Sequence, residues 1–227
     1  MLKLAAALLL VIAAAPPPEQ AALLEQLKSG GVEERRIAVE RLGQIGDDGA
    51  TSALVQALRD PDVTVRSEAH DSLWAIWHRS GDPDIDIRLG EGIALMQAGR
   101  LPESVAVFTD VIARAPGFAE GWNKRATAYY MMGELDRSLA DCEEVMKRNP
   151  VHFGALSGFG LIYLQKEDLP KAAEYFEKAL AVDPTLVQVK SVLERIREVL
   201  RQRRQQSIRQ PRPRGPDTNQ RQPMEDA

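Results

Sequence analysis

The sequence predicts an all-α protein, a right-handed α-solenoid of stacked helical hairpins closed by a C-terminal cap helix. Three observations carry that expectation. Pro116, Pro150 and Pro184 recur at intervals of 34 residues. Residues 19–49 align with 50–80 at a constant offset of 31. Apolar residues make up 44% of the chain and aromatics only 5%, with abundant Ala and Leu, which lose little conformational freedom on entering a helix. A fixed period in this range is the signature of a repeat architecture, and neither period contains a strand pattern.

The segment MLKLAAALLLVIAAAPPP comes first. Lys3 is a short basic region, Leu4 to Ala15 is an apolar run, and small residues follow. The run is too short to span a bilayer as a helix, and the order of the three parts is that of a secretory signal peptide. Residues 1–15 are therefore expected to be removed, with cleavage within 13–15, and the protein to be periplasmic or secreted, with no transmembrane segment. An uncleaved N-terminus would instead indicate a cytosolic protein. The lone Cys142 allows no intrachain disulfide and no multi-cysteine metal site.

Residues 19–80 read as two helix–turn–helix units. Leu23 aligns with Leu54, Leu27 with Leu58, Val32 with Val63, Arg35 with Arg66, Ala38 with Ala69, Leu42 with Leu73 and Ile45 with Ile76. The run Asp60–Ile76 resembles the short HEAT-type repeat. Two units cannot bury much apolar surface alone. Trp74 and Trp77 are therefore expected to dock this pair onto the next unit in sequence, across the bend at Gly81, Asp82 and Pro83.

Residues 85–186 divide into blocks 85–118, 119–152 and 153–186. Position 8 holds Gly92, Ala126 and Gly160, position 11 Leu95, Tyr129 and Tyr163, and position 24 Phe108, Cys142 and Phe176. Gly99 and Gly133 share position 15, where the third block has Glu167. Small residues let paired helices approach, Gly at the turn ends the first helix, and Pro after the second starts the next unit. This pattern, with Trp122 in the second block and Ala172, Phe176 and Ala179 in the third, resembles the tetratricopeptide repeat.

After Pro184, residues 187–206 carry one apolar stripe (Val189, Leu193, Ile196, Leu200) and are read as the cap helix rather than a two-heptad dimer seam. Monomer or weak dimer is the expected state. Residues 207–227 lack periodicity, are poor in hydrophobes and are read as a disordered basic tail. From Arg201 onward seven arginines face three acids, leaving a net −8 on residues 1–200. Such a tail suits a weak contact with anionic surfaces. Without interleaved aromatics it does not suggest specific nucleic-acid binding.

No catalytic motif is present, so no catalytic residue, metal ligand or cofactor is assigned and the chain is read as no enzyme. His70, His78 and His152 are expected to be solvated or partly buried, and Cys142 to be a small buried thiol. Resemblance to HEAT proteins of the bilin lyase type concerns the scaffold only. The tetratricopeptide resemblance implies a concave groove lined by the first helix of each block. In this sequence the groove positions are Asp86, Leu89, Ile93, Met96 and Gln97, then Glu120, Asn123, Thr127, Tyr130 and Met131, then Gly154, Ser157, Leu161, Leu164 and Gln165. A peptide or helix partner is expected to contact Leu89, Ile93, Met96, Asn123, Thr127, Tyr130, Ser157, Leu161 and Leu164. Gly154, Ser157 and Gly158 remove bulk from one face, leaving either a side-chain pocket or merely room for close helix packing. Family members that clamp a terminal carboxylate do so with Lys, Asn and Arg, of which only Asn123 is matched here. The implied role is an exported interaction scaffold; the alternatives are a cytosolic regulatory adaptor, or a non-catalytic subunit of the lyase-like HEAT class.

Overall fold

The computed structural model describes residues 16–209. The expected signal peptide 1–15 and residues 210–227 lie outside the described residues. Among the described residues there are eleven α-helices and no strand. Two hairpins come first, α1 (Pro18–Ser29) with α2 (Val32–Ile45) and α3 (Asp48–Ala57) with α4 (Val63–Trp77). Three more follow: α5 (Pro83–Gln97) with α6 (Leu101–Arg114), α7 (Ala119–Met131) with α8 (Leu135–Arg148), and α9 (Phe153–Gln165) with α10 (Leu169–Val182). The chain ends in α11 (Val187–Arg209).

The 34-residue period has a local cause at each hairpin turn. Gly99 and Gly133 have φ of 74° and 77°, and Glu167 takes the same left-handed conformation at 59°. In each turn two backbone bonds close the first helix: Arg100 to Leu95 and Gly99 to Met96, Glu134 to Tyr129 and Gly133 to Tyr130, Asp168 to Tyr163 and Glu167 to Leu164. This is the Schellman arrangement, which satisfies carbonyls the helix end would leave unpaired. Side chains open several helices: Asp62 accepts from the Thr64 and Val65 amides, and Asp82 and Asp168 cap α5 and α10. Such a cap stabilises a helix by about 1 kcal/mol.

Positions 8 and 24 meet across each hairpin. A Cβ on Gly92 would sit 2.4 Å from the Phe108 ring, and one on Gly160 would sit 2.4 Å from the Phe176 ring. Both phenylalanines are fully buried, each burial being worth about 1.5–3 kcal/mol. The middle hairpin differs: Ala126 adds a methyl group and Cys142 stands where the others have Phe.

The HEAT-like pair is braced internally. Arg35 makes a two-pronged ion pair with Asp60 at 2.7 and 2.8 Å, and Arg66 donates to the Asp60 carbonyl. Its docking departs from expectation. The rings that Trp74 and Trp77 meet are those of His152 and Phe153, at the turn joining the second and third units, and the turn after α10 also packs against the pair. Phe153 enters the core of the N-terminal pair, with Val151, Val182 and Leu186 packed against it. The reason is what each surface offers. The outer face of α5 presents Ile87, 64% exposed, beside exposed Gly90, Glu91 and Ala94. The turn before α9 offers two rings, and two tryptophans bury more area against rings than against small residues.

At the other end, Leu193 and Ile196 of α11 bury against Ala172, Ala173 and Phe176. The apolar stripe is spent inside the chain, as a cap requires. The helix is longer than expected, since Ser207–Arg209 remain helical. Arg201, Arg203 and Arg204 lie on this helix as expected, and the helical backbone runs three residues into the segment read as tail.

Candidate functional site

The first helices α7 and α9 line a concave face whose two ends differ. One end is closed by α4. The Trp74 ring meets Phe153 edge-on at 5.3 Å and His152 at 5.4 Å, while Trp77 stacks on His152 at 4.5 Å. His70 stacks on Phe153 at 5.0 Å. Gly154 lets this happen, because a Cβ there would lie 2.6 Å from Cη2 of Trp74.

Polar contacts cross the same junction. Nδ1 of His70 lies 2.6 Å from Oδ2 of the buried Asp183, while the Trp74 indole N–H donates to Nε2 of His70 at 3.2 Å. The imidazole thus presents its proton to Asp183. The Asp183 hydrogen bond raises the affinity of His70 for a proton; burial pushes the Asp183 carboxyl up, but bonds from His70 and Thr185 bring it below its ordinary value. Arg59 donates to the carbonyls of Ala181 and Val182 at the end of α10.

Next to this junction sits a buried carboxylate. Glu120 is 0% exposed. Its Oε1 lies 2.8 Å from Nζ of Lys124 and 3.4 Å from Nε2 of His78. Its Oε2 lies 3.0 Å from Nε2 of His152, and the Asn123 amide donates to both oxygens. His152 caps α9 by accepting the Ala155 amide on Nδ1, so its proton is on Nε2 and faces Glu120. Burial would push the Glu120 carboxyl up; the His152 bond and the positive charge around it outweigh this and hold it at about 2. Lys124 also lies 5.4 Å from the centre of the Trp74 ring, which ties α4 to the cluster.

Farther along the face a cavity of about 130 Å³ opens between α7 and α9. Ala126, Ile162 and Cys142 form part of its wall, and Asn123, Thr127, Tyr130, Ser157 and Leu161 also line it. Its origin lies at position 24. Phe108 and Phe176 fill the corresponding hairpins, whereas Cys142 is short and the Ala126 methyl recovers only part of the space. Gly154, Ser157 and Gly158 keep the α9 side low. Burial pushes the Cys142 thiol up to about 12, so the wall is an unreactive sulfur.

Of the nine expected contact residues, the cavity unites Asn123, Thr127, Tyr130, Ser157 and Leu161. Thr127 donates to the Asn123 carbonyl and Ser157 to that of Phe153, leaving oxygen lone pairs for an incoming group. Leu161 is 38% exposed and neighbouring Met131 52%. Ile93 and Met96 are half-buried against the core of the first unit, and Leu164 against that of the third. One assignment is corrected: Leu89 is buried with Ile85 and Phe108, because its helix turns it into the hairpin. Asn123 lines the cavity but is itself buried, with its amide spent on Glu120. His152 likewise departs from the expected solvated or partly buried state, being fully buried. The sequence reading also missed the roles of Lys124, His78 and His152. One signal was present: His152 occupies the last position of its block, where the others carry Phe118 and Leu186.

Among the described residues no cluster of His, Cys, Asp and Glu could hold a metal ion. No helix among them is long and apolar enough to cross a membrane.

Stacked helical hairpins that present a concave face define a helical-repeat protein. The match to known families is specific. Residues 20–86 match the model for HEAT repeats, and residues 89–146 and 123–186 match that for the tetratricopeptide repeat. The chain is a tetratricopeptide repeat protein with N-terminal HEAT repeats. A TPR repeat-containing protein of Rhizobium etli is 31% identical over 126 residues, covering 56% of this chain and 61% of the relative. The Hsp70-Hsp90 organizing protein of Triticum aestivum is 33% identical over 95 residues, covering 42% of this chain and 16% of that protein. The chain thus spans less than two thirds of the length of either relative. Among solved structures, the Sgt2 TPR domain from Aspergillus fumigatus superposes with a TM-score of 0.51 at 22% identity, covering 62% of this chain and 92% of that domain.

Proposed function

We propose that the protein is an exported, non-catalytic adaptor that binds a partner peptide or helix on the concave face between α7 and α9. The cavity beside Leu161 and Tyr130 carries this reading: an apolar recess with a few polar groups at its rim suits one anchoring side chain of a peptide. The name of the wheat relative, an organizing protein for two chaperones, agrees with an adaptor role without supplying a partner. Export rests on the N-terminal signal pattern and places the adaptor in the periplasm or outside the cell. The arginines at the end of α11 add a weak, salt-screened attraction to anionic surfaces. With its apolar stripe spent on the third repeat, α11 favours a monomer.

A pull-down with residues 19–227 from envelope and cytosolic fractions tests both halves. A partner found in the envelope fraction and lost with Tyr130→Ala/Leu161→Arg supports the reading. A partner retained by that variant overturns the groove, and an intact N-terminus on the protein isolated from its host overturns export.

A further inference from the structure

The closed end of the groove is a receptor that already has its ligand. Asn123, Lys124, His78 and His152 converge on a single carboxylate from three elements, α7, the end of α4 and the turn before α9. Their donors would suit any carboxylate. The group they hold is the chain's own Glu120, fully buried, with its partner Lys124 set under the Trp74 ring. An incoming acid would have to displace Glu120 and leave a second carboxylate buried without partners, a cost no exposed contact offsets.

The neighbouring cavity is built the other way. It shares Gly154 with the Trp74 contact, and Ser157 and Gly158 extend the same low face of α9. Trp74 shows how that face is used: an apolar knob seats where a side chain is missing. The next recess has the same construction and no knob. Its volume of about 130 Å³ is close to the roughly 150 Å³ of a dry cavity that takes a benzene ring.

We propose that Glu120 is a built-in occupant of a carboxylate cradle, so that a partner is read by one aliphatic or ring side chain seated beside Trp74 and not by an acidic group. This rests on the groove reading above. It adds the HEAT pair as a specificity element: by giving His78 to Glu120 and seating Trp74 on Lys124, α4 helps keep the cradle's donors engaged and removes charge recognition from that end of the groove.

The test uses the whole chain from residue 19 and two small probes, N-acetyl-leucinamide and the acidic peptide N-acetyl-Glu-Val-Asp, followed by NMR. The expected result is that leucinamide shifts the methyl signals of Ala126, Leu161 and Ile162, and that the acidic peptide leaves Asn123 and Lys124 unmoved. Gly158→Ala should weaken leucinamide several-fold while keeping the fold, since its Cβ meets only Cys142 Sγ, at 3.5 Å. An acidic peptide that shifts Asn123 and Lys124 in the unaltered protein overturns the proposal. A separate arm tests the cradle: Glu120→Ala should lose thermal stability and regain part of it with added propionate but not with propionamide. Propionate without effect on a folded Glu120→Ala overturns the cradle; if that variant does not fold, the acidic-peptide arm decides. Absence of any leucinamide shift overturns the groove reading together with the apolar half of this inference, whatever propionate does.

Discussion

Trp74 and Gly154 are 80 positions apart in sequence, yet the indole leaves no room for a methyl group on the glycine: the Cβ would stand 2.6 Å from Cη2. That one contact ties the HEAT pair to the third tetratricopeptide unit and sets where the groove ends.

Gly154→Ala should unseat Trp74. Overpacking of this kind costs about 1–3 kcal/mol. The expected signs are a red shift of tryptophan emission and faster proteolysis at exposed Gly81, with helical content kept. Gly158→Ala, one turn along the same helix, should show neither. Equal behaviour of the two variants would contradict the docking.

Cys142→Phe should destabilise by about 1–3 kcal/mol, because the ring would meet the Ala126 methyl where the sister hairpins have glycine. Adding Ala126→Gly should recover most of that loss. A double-mutant cycle on urea unfolding checks it, with a coupling of at least about 0.5 kcal/mol expected for residues in contact. The double variant should also fill the cavity and lose leucinamide. Additive effects would mean that the two positions do not meet as Phe176 and Gly160 do.

Glu167→Gly should stabilise the protein. A side chain in the left-handed conformation costs about 1–2 kcal/mol, of which added glycine freedom takes back up to about 1. The net gain should raise Tm by a few degrees at most, about 2–4 °C per kcal/mol for a chain of this size. A lower Tm would show that Glu167 is held by something other than the turn.

Acid should separate the HEAT pair from the groove before it melts the helices. Glu120 and Asp183 both have folded-state values below their ordinary 4.5 and 3.8. A depressed carboxylate contributes stability that is present above its unfolded value and lost as pH falls through its folded one. Tryptophan near-UV circular dichroism should therefore fade between about pH 4.5 and 2, ahead of the far-UV signal. A loss that begins above pH 5 would point to another group.

The repeats were readable because their causes are short-range. The Schellman turns at Gly99, Gly133 and Glu167 lie within six residues, and the pairing of positions 8 and 24 lies within one hairpin. Even the cavity left a trace, as Cys142 in a column of phenylalanines beside Ala126 in a column of glycines. Leu89 was misplaced because helical spacing alone does not separate a groove position from one turned into the hairpin.

What the sequence by itself determined is therefore the helices, the two periods, the cap and the small-residue face of α9. What only the tertiary structure decided is which surface α4 covers. His70 and Asp183 are 113 residues apart, and Glu120 and His152 are 32 apart, at opposite ends of one 34-residue block. No period relates the members of either pair. A repeat encodes the contacts each unit makes with its neighbour; the rings and charges that close the groove are single substitutions at positions the repeat leaves free, and only the folded chain brings them together.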